Sequence, residues 1–373
     1  MGTTESARRL LLAGVVVLGS TVAVVASPGD DRGDPDRPFP PSGLEEPEAE
    51  PEPPEMSPEV ERAVLDGLAW LASTQSRSGR FPSVHSYHIA VTSLAGLAFL
   101  AHGEAPERGP HAQTVRRALE FVLDSQMPSG LYFDHGKLRV EDRPMHGHGF
   151  AMHFVAEASG QTRDPALRAR CRASLREAVR CTAGSISPEG GWHYFPDGQS
   201  DEGSVTVTQI QGLRAAREVG IEVPKALIDR ATDYLRRSQQ RDSGGVRYSL
   251  ARGSARTTPA LTAAGMVVLY GAGTYEDEAL DLGFRYLRKN MDDVANPGGS
   301  DRFFYYTHFY AAQAFHARGG DDWDWYWKAI REEMMRRRGE GPCWESQFGR
   351  PYATALALLT LQVPFRYLPT YER

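Results

Sequence analysis

Cysteine is scarce in this sequence: three occur in 373 residues, and none belongs to a Cys-x-x-Cys pair. This excludes a disulfide-rich scaffold and a zinc site built on paired cysteines. The sequence also lacks the GxSxG turn of serine hydrolases, the GxxxxGK[ST] loop that binds phosphates, and the CGEQ phrase of internal thioesters. No basic run interleaved with aromatic residues is present, so we expect no nucleic-acid partner.

Negative charge is concentrated in one segment. The formal net charge is −6. Residues 28–59 contain eleven Asp or Glu against two Arg, together with ten of the 25 prolines, and the rest of the chain is close to neutral. Such a composition buries too little apolar surface to offset the entropy of ordering. We therefore predict a disordered Pro/acidic linker at residues 28–59.

The N-terminus has the charge pattern of a targeting segment. Arg8 and Arg9 precede residues 10–26, which carry no charge and are mostly apolar. A positive end followed by an apolar run is typical of export signals, and a helix of this length is slightly short of the hydrocarbon core of a bilayer. Residues 1–27 are thus either a cleaved signal peptide or a single-pass membrane anchor. Both alternatives place the folded part outside the cytoplasm.

From residue 60 onward, one unit occurs six times. It consists of an amphipathic helix, a turn containing Gly and an aromatic residue, and a more apolar helix. The turn phrase is clearest in three copies: Gln75, Gly79 and Phe81; Gln126, Gly130 and Tyr132; Gln239, Gly244 and Tyr248. The apolar helices are predicted at residues 89–101, 149–158, 205–219, 259–270, 308–317 and 353–363.

The two kinds of helix differ in where they should lie. The apolar helices lack a broad polar face and should be buried, whereas the others carry a charged stripe and should face solvent. Residues 60–373 are therefore predicted to form an all-α (α/α)6 toroid domain of six inner and six outer helices, preceded by the apolar N-terminal helix and the linker. An open helical solenoid is the alternative.

The Gln–Gly–aromatic phrase resembles the repeat of squalene cyclases and the related repeat of protein prenyltransferase β subunits. The resemblance extends over about residues 60–366. It implies an α/α toroid whose central cavity holds an apolar, isoprenoid-like ligand. Toroids of this kind also occur in carbohydrate-active enzymes, so the fold does not fix the function.

Polar residues recur where the inner helices should begin. Alignment on the apolar cores places six of them at one repeat position: His88, His148, Ser204, Thr258, Thr307 and Tyr352. Helix capping is the simpler explanation for the Ser and Thr. In a toroid these helix starts meet at one opening of the ring, its mouth. The positive ends of the helices and the cation Arg350 would there favour a ligand with an anionic head group. The predicted ligand-binding residues are His88, His148, Glu202, Tyr306, His308, Arg350 and Tyr352.

One segment bears on catalysis. Cyclases that this chain resembles use a DxDD phrase followed by Thr, whose middle Asp protonates an alkene or epoxide. The corresponding residues here are Gln199-Ser200-Asp201-Glu202, so the resemblance makes Asp201 the candidate general acid. The alternatives for Asp201 are a charge that complements the positive end of a helix, and ligand binding without chemistry.

Three functions therefore remain open. The first is an exported or membrane-anchored toroid that binds an isoprenoid-like molecule or a protein without catalysis. The second is a cyclase or prenyltransferase using Asp201, and the third is a carbohydrate-active enzyme using Asp201 and Glu202. We expect no cofactor and no metal, since the Asp-x-Cys pair of the prenyltransferase zinc site is missing. A zinc site shared by His88, His148 and His308 is the alternative.

Overall fold

The computed structural model describes residues 56–84, 87–134, 143–291, 303–365 and 368. The predictions for the N-terminal segment and for nearly all of the linker lie outside these residues. The first helix begins at Pro58, two residues before the predicted start of the domain, and Ser57 caps it by accepting from the Val60 amide. None of the helices in the described part of the chain has both the length and the apolar character needed to span a membrane.

The described residues form twelve α-helices and no strand, which alternate between an inner and an outer layer. The inner helices are α2 (His88–Leu100), α4 (Pro144–Gln161), α6 (Gly203–Glu218), α8 (Pro259–Gly271), α10 (Phe304–Arg318) and α12 (Arg350–Gln362). The outer helices are α1 (Pro58–Thr74), α3 (Ala112–Asp124), α5 (Pro165–Gly184), α7 (Lys225–Ser238), α9 (Glu278–Asn290) and α11 (Gly320–Arg338).

The inner layer is a closed ring. Each inner helix packs against the next in chain order, and α12 packs against α2 to complete the circle. Outer helices lie between inner ones: α3 contacts α2 and α4, and α1 contacts α12 and α2. The predicted (α/α)6 arrangement is confirmed, and the open solenoid is excluded because its first and last units would not touch.

In three units, the glutamine of the turn phrase joins its unit to the next. The side-chain amide of Gln126 donates to the carbonyl of Gly130 in its own turn, at 3.0 Å, and to the carbonyl of Ser174 in the following outer helix, at 2.8 Å. The same pair of bonds joins Gln75 to Gly79 and Thr114, and Gln239 to Gly244 and Ala279. The phrase is therefore a structural device that holds neighbouring units together.

The turn glycine is required for the same contact. Gly130 has a φ of 88°, in the left-handed region that disfavours side chains. A Cβ at this position would overlap the backbone carbonyl of Glu177 in the next outer helix. Only glycine lets the turn approach that helix closely enough for the bonds of Gln126.

The structure also corrects the alignment of the inner helices. In five units, a side chain in the first turns of the inner helix accepts a hydrogen bond from a backbone N–H of the preceding turn. The acceptors are Thr92, His148, Thr206, Thr262 and Thr354. His148 therefore corresponds to Thr92, one helical turn beyond His88, and the predicted equivalence of His88 with His148 is wrong.

Candidate functional site

A cavity of about 980 Å³ lies at the N-terminal ends of the inner helices, on the side of the turns. Pockets for small molecules usually measure about 300–1,000 Å³, so this one has room for a sizeable ligand. All six inner helices contribute to its wall, with Ala90, Val91, His146, Phe150, Ser204, Ala260, Leu261, Tyr306, His308 and Tyr352. Loop residues extend the wall outwards.

Contacts across the ring fill the barrel beneath the cavity. The ring of Phe150 on α4 lies edge-on to that of Phe309 on α10, with centroids 6.5 Å apart. Further down, the side-chain amide of Gln211 on α6 donates to the Oε1 of Gln313 on α10 at 3.0 Å. These contacts limit how far a ligand can penetrate.

One arc of the cavity carries a chain of polar side chains. Glu202 caps α6: its Oε2 accepts from the Val205 amide at 2.9 Å and from the Ser204 hydroxyl at 2.6 Å. Ser204 Oγ also lies 2.8 Å from Nε2 of His146. The hydroxyl of Ser204 has one proton, which it donates to Glu202. In the second bond Nε2 of His146 is therefore the donor and Ser204 Oγ the acceptor. The order is the reverse of a serine hydrolase, in which the histidine accepts from the serine, so the hydroxyl is not activated.

Burial shifts the ionisation of both ends of this chain. It raises the pKa of Glu202, although Ser204 and the Val205 amide oppose the shift by binding the carboxylate. It lowers the pKa of His146 to about 4, and the positive charge of Arg143 lowers it further. At neutral pH the imidazole of His146 is therefore uncharged.

The same arc carries two arginines. The guanidinium of Arg143 lies 4.1 Å from the ring centroid of Tyr194. The hydroxyls of Tyr194 and Tyr248 are hydrogen-bonded to each other, and the Tyr248 amide donates to the carbonyl of Arg256 at 2.9 Å. Arg143 and Arg256 are both exposed and both line the cavity.

The opposite arc is aromatic. The rings of Phe303 and Phe348 stack with centroids 5.6 Å apart, and Phe348 meets Tyr352 edge-on at 5.4 Å. The guanidinium of Arg337 lies 3.6 Å from the ring centroid of Phe304, and its Nε donates to Glu333. The cavity thus has a polar side, formed by the second to fourth units, and an aromatic side, formed by the fifth and sixth.

Neither a protein-family model nor a curated protein sequence matches this chain. Its structure is similar to that of the α-1,6-mannanase GH76A from Salegentibacter sp. HEL1_6, with a TM-score of 0.60 and 11% identity over 83% of this chain and 99% of that one. It is also similar to the type II terpene cyclase MstE from Scytonema, with a TM-score of 0.58 and 13% identity over 84% of this chain and 98% of that one.

A third similar structure is a protein from Actinoplanes, with a TM-score of 0.51 and 14% identity over 83% of this chain and 99% of that one. The chain is an α/α toroid. At these identities the similarity shows the fold of the toroid alone.

Four of the eight predicted site residues line the cavity of the toroid: Glu202, Tyr306, His308 and Tyr352. Tyr306 also donates from its hydroxyl to the carbonyl of Ser204 at 3.3 Å, and burial holds its pKa well above the usual value. Nδ1 of His308 lies 3.0 Å from the hydroxyl of Tyr326, and burial lowers the pKa of His308 to about 3. Their roles in ligand binding stay predictions.

The other four predicted residues lie outside the cavity wall. His148 is fully buried, and both ring nitrogens are engaged: Nδ1 accepts from the Tyr132 amide at 3.1 Å, and Nε2 lies 3.0 Å from Thr182 Oγ1. Nδ1 of His88 lies 3.2 Å from the carbonyl of Phe81. These contacts give both histidines a structural role in holding their turns.

Arg350 and Asp201 are the remaining two. The side chain of Arg350 is 60% exposed and forms an ion pair with Glu345. Asp201 is fully buried, and its carboxylate accepts three hydrogen bonds at 2.8 Å, from the Tyr234 hydroxyl and from the amides of Leu250 and Ala251. The predicted mouth therefore combines residues that the toroid places apart.

Metal binding has no support in the geometry of the described residues, because no group of three His, Cys, Asp or Glu side chains among them is placed to hold an ion. Five residues of the cavity wall were not among the predicted site residues: Arg143, His146, Tyr194, Tyr248 and Arg256. His146 and Phe150 are four residues apart and so share a helix face, and this spacing could have predicted that His146 lies beside Phe150. Arg143 and Arg256 come just before inner helices that begin with proline, so their position near a helix start could also have been predicted from the sequence.

Proposed function

We propose that the toroid binds an apolar, isoprenoid-like ligand in its central cavity, without need of catalysis. The observation that carries the proposal is the combination of a cavity of about 980 Å³ with a wall that is aromatic and aliphatic along one side. Burial of apolar surface contributes about 25 cal/mol per Å², so such a wall favours a hydrocarbon over a polar ligand. The similar terpene cyclase MstE has been solved with geranylgeranyl dihydroxybenzoate as its substrate, which supports this ligand class.

Acid catalysis by Asp201 is not part of the proposal. A general acid must reach the substrate within hydrogen-bonding distance, and Asp201 is turned away from the cavity towards the loop at residues 250–251. The carbohydrate-active alternative needs two carboxylates that face one gap. Glu202 lines the cavity and Asp201 does not, so these adjacent residues give no such pair.

Titration of the full chain with geranylgeraniol, followed by calorimetry, tests the proposal. Ala260 lines the cavity, so Ala260→Phe should fill part of it and weaken binding at least about tenfold, by displacing apolar contacts worth about 1.4 kcal/mol or more. Ala166 is exposed on the outer helix α5, and Ala166→Phe is the matched control with unchanged affinity. Absence of saturable binding, or equal affinity of the wild type and Ala260→Phe, would contradict the proposal.

We also propose that residues 1–27 export or anchor the protein, as their charge pattern indicates. Deleting them should move the protein into the cytoplasmic fraction of the expressing cell. Fractionation of cells with and without the deletion tests this, and an unchanged distribution would argue against a targeting role. A size difference between the cellular and the encoded chain separates a cleaved signal from a retained anchor.

A further inference from the structure

Two arginines in the cavity wall form no ion pair with a carboxylate among the described residues. They are Arg143 and Arg256, and both are exposed. The third arginine that lines the cavity, Arg337, differs from them, because it forms an ion pair with Glu333. Burial raises the pKa of Glu202 and the charge of Arg143 opposes that rise, but two cations on this wall outnumber one carboxylate. Guanidinium groups that face a ligand cavity in such an excess favour an anionic group there.

The two side chains belong to one connected piece of the wall. Arg143 lies over the ring of Tyr194, and Tyr194 shares a hydrogen bond with Tyr248. The backbone of Tyr248 is in turn bonded to that of Arg256 at 2.9 Å. The starts of α4 and α8 therefore bring two positive charges to the same arc, and the tyrosine hydroxyls between them supply further polar contacts.

The remaining titratable groups on this arc leave the net charge positive. Glu202 is the negative side chain of the arc, and its Oε2 is already occupied by Ser204 and Val205. His146 adds no charge, because burial holds its pKa at about 4. Two guanidinium groups thus face one carboxylate that is 1% exposed.

We infer that the ligand is an amphiphile whose anionic head, a carboxylate or a phosphate, lies between Arg143 and Arg256. Its tail then extends along the aromatic side of the cavity, past Tyr306 and Tyr352. The inference rests on the proposed function, since it names the polar end of the same ligand.

The experiment compares three probes that share one tail: geranylgeranoic acid, geranylgeranyl phosphate and geranylgeraniol. The wild type should bind the acid or the phosphate at least about tenfold more tightly than the alcohol, because each hydrogen bond between charged groups is worth about a factor of ten or more. Arg143→Gln and Arg256→Gln should each remove about tenfold of that preference and leave the affinity for the alcohol unchanged. Raising the salt concentration should weaken anion binding only.

Arg241→Gln is the matched control. Arg241 is exposed in the turn of the same unit as Arg256 but does not line the cavity, so its substitution should change no affinity. Equal affinities for anion and alcohol, or a preference that survives both substitutions, would overturn the anionic head while leaving the proposed function intact. If the alcohol does not bind either, the proposed function itself fails. Thermal melts of each variant exclude unfolding as the cause.

Discussion

Substitution of Asp201 by Asn distinguishes two roles of this carboxyl group: a carboxylate that holds a loop, and a carboxylic acid that donates a proton to a substrate. Oδ2 accepts from the Tyr234 hydroxyl and the Leu250 amide, and Oδ1 accepts from the Ala251 amide. Asn can keep an oxygen at the position of Oδ2, but its NH2 group then replaces Oδ1 and faces the Ala251 N–H, which is also a donor. One charge-assisted hydrogen bond is lost and the others weaken, so we expect the free energy of unfolding to fall by about 2–3 kcal/mol.

Urea unfolding followed by circular dichroism measures this loss as a lower midpoint with an unchanged slope. Asp197 provides the control, because it is exposed in the same turn, and Asp197→Asn should change stability by no more than about 0.5 kcal/mol. Combining Asp201→Asn with Tyr234→Phe gives a double-mutant cycle. A coupling energy above about 0.5 kcal/mol would show that the two side chains interact in solution.

An Asp201→Asn protein that unfolds at the wild-type urea concentration would refute the loop-anchoring role. If that variant also lost turnover of an isoprenoid substrate while binding it normally, Asp201 would be the general acid that the sequence resemblance implies. A large stability loss with unchanged ligand affinity is the result that agrees with the structure.

Three further predictions concern the fold. Burial lowers the pKa of His148 to about 4, so its contribution to stability should be full above about pH 6.5, where the unfolded imidazole is neutral, and fall by about 1.4 kcal/mol per pH unit between about pH 6.5 and about pH 4. His146 and His308 have lowered pKa values too and make the wild-type slope steeper, so His148→Thr should reduce that slope by about this amount in urea unfolding at several pH values. Gly130→Ala should lower the free energy of unfolding by about 2–4 kcal/mol in the same assay, because Gly130 has a positive φ and a Cβ there would overlap the next helix. Gly184→Ala is the control and should leave stability unchanged, because a Cβ at Gly184 would meet open space. Ending the chain before Trp325 removes α12 and exposes apolar faces of α10 and α2, so the product should aggregate in gel filtration; a soluble, cooperatively unfolding product would contradict ring closure.

The helices and the ring could be predicted because they follow from periodicity. The first inner helix was predicted at residues 89–101 and occurs at His88–Leu100. The fourth helix begins five residues before its predicted start at 149, because its first turns, rich in Gly and His, lack an apolar pattern. Apolar periodicity locates helices well, but it does not mark where a polar first turn begins.

The site was harder to predict, because it depends on the lengths of turns and on side-chain direction. Thr92 follows its bonded partner Phe81 by eleven residues, whereas His148 follows Tyr132 by sixteen, so alignment on apolar cores misplaced His88. Asp201 and Glu202 are neighbours at a helix start, yet one binds the next unit's loop and the other caps α6 inside the cavity. The sequence contains no local signal for which of the two faces inward.

The glutamine bonds between units have a consequence for how this chain can evolve. The acceptors of Gln75, Gln126 and Gln239 in the following outer helices are all backbone carbonyls, those of Thr114, Ser174 and Ala279. Every residue type carries a backbone carbonyl, so the bond places no demand on the identity of the accepting residue. Single positions are tied more closely, because Oε1 of Gln126 also accepts from the Ser174 hydroxyl at 2.8 Å and Oε1 of Gln75 from Arg117 at 2.6 Å. Apart from such positions, the outer surfaces of these helices can drift in sequence, or acquire a new binding partner, without a compensating change in the glutamine of the unit before them.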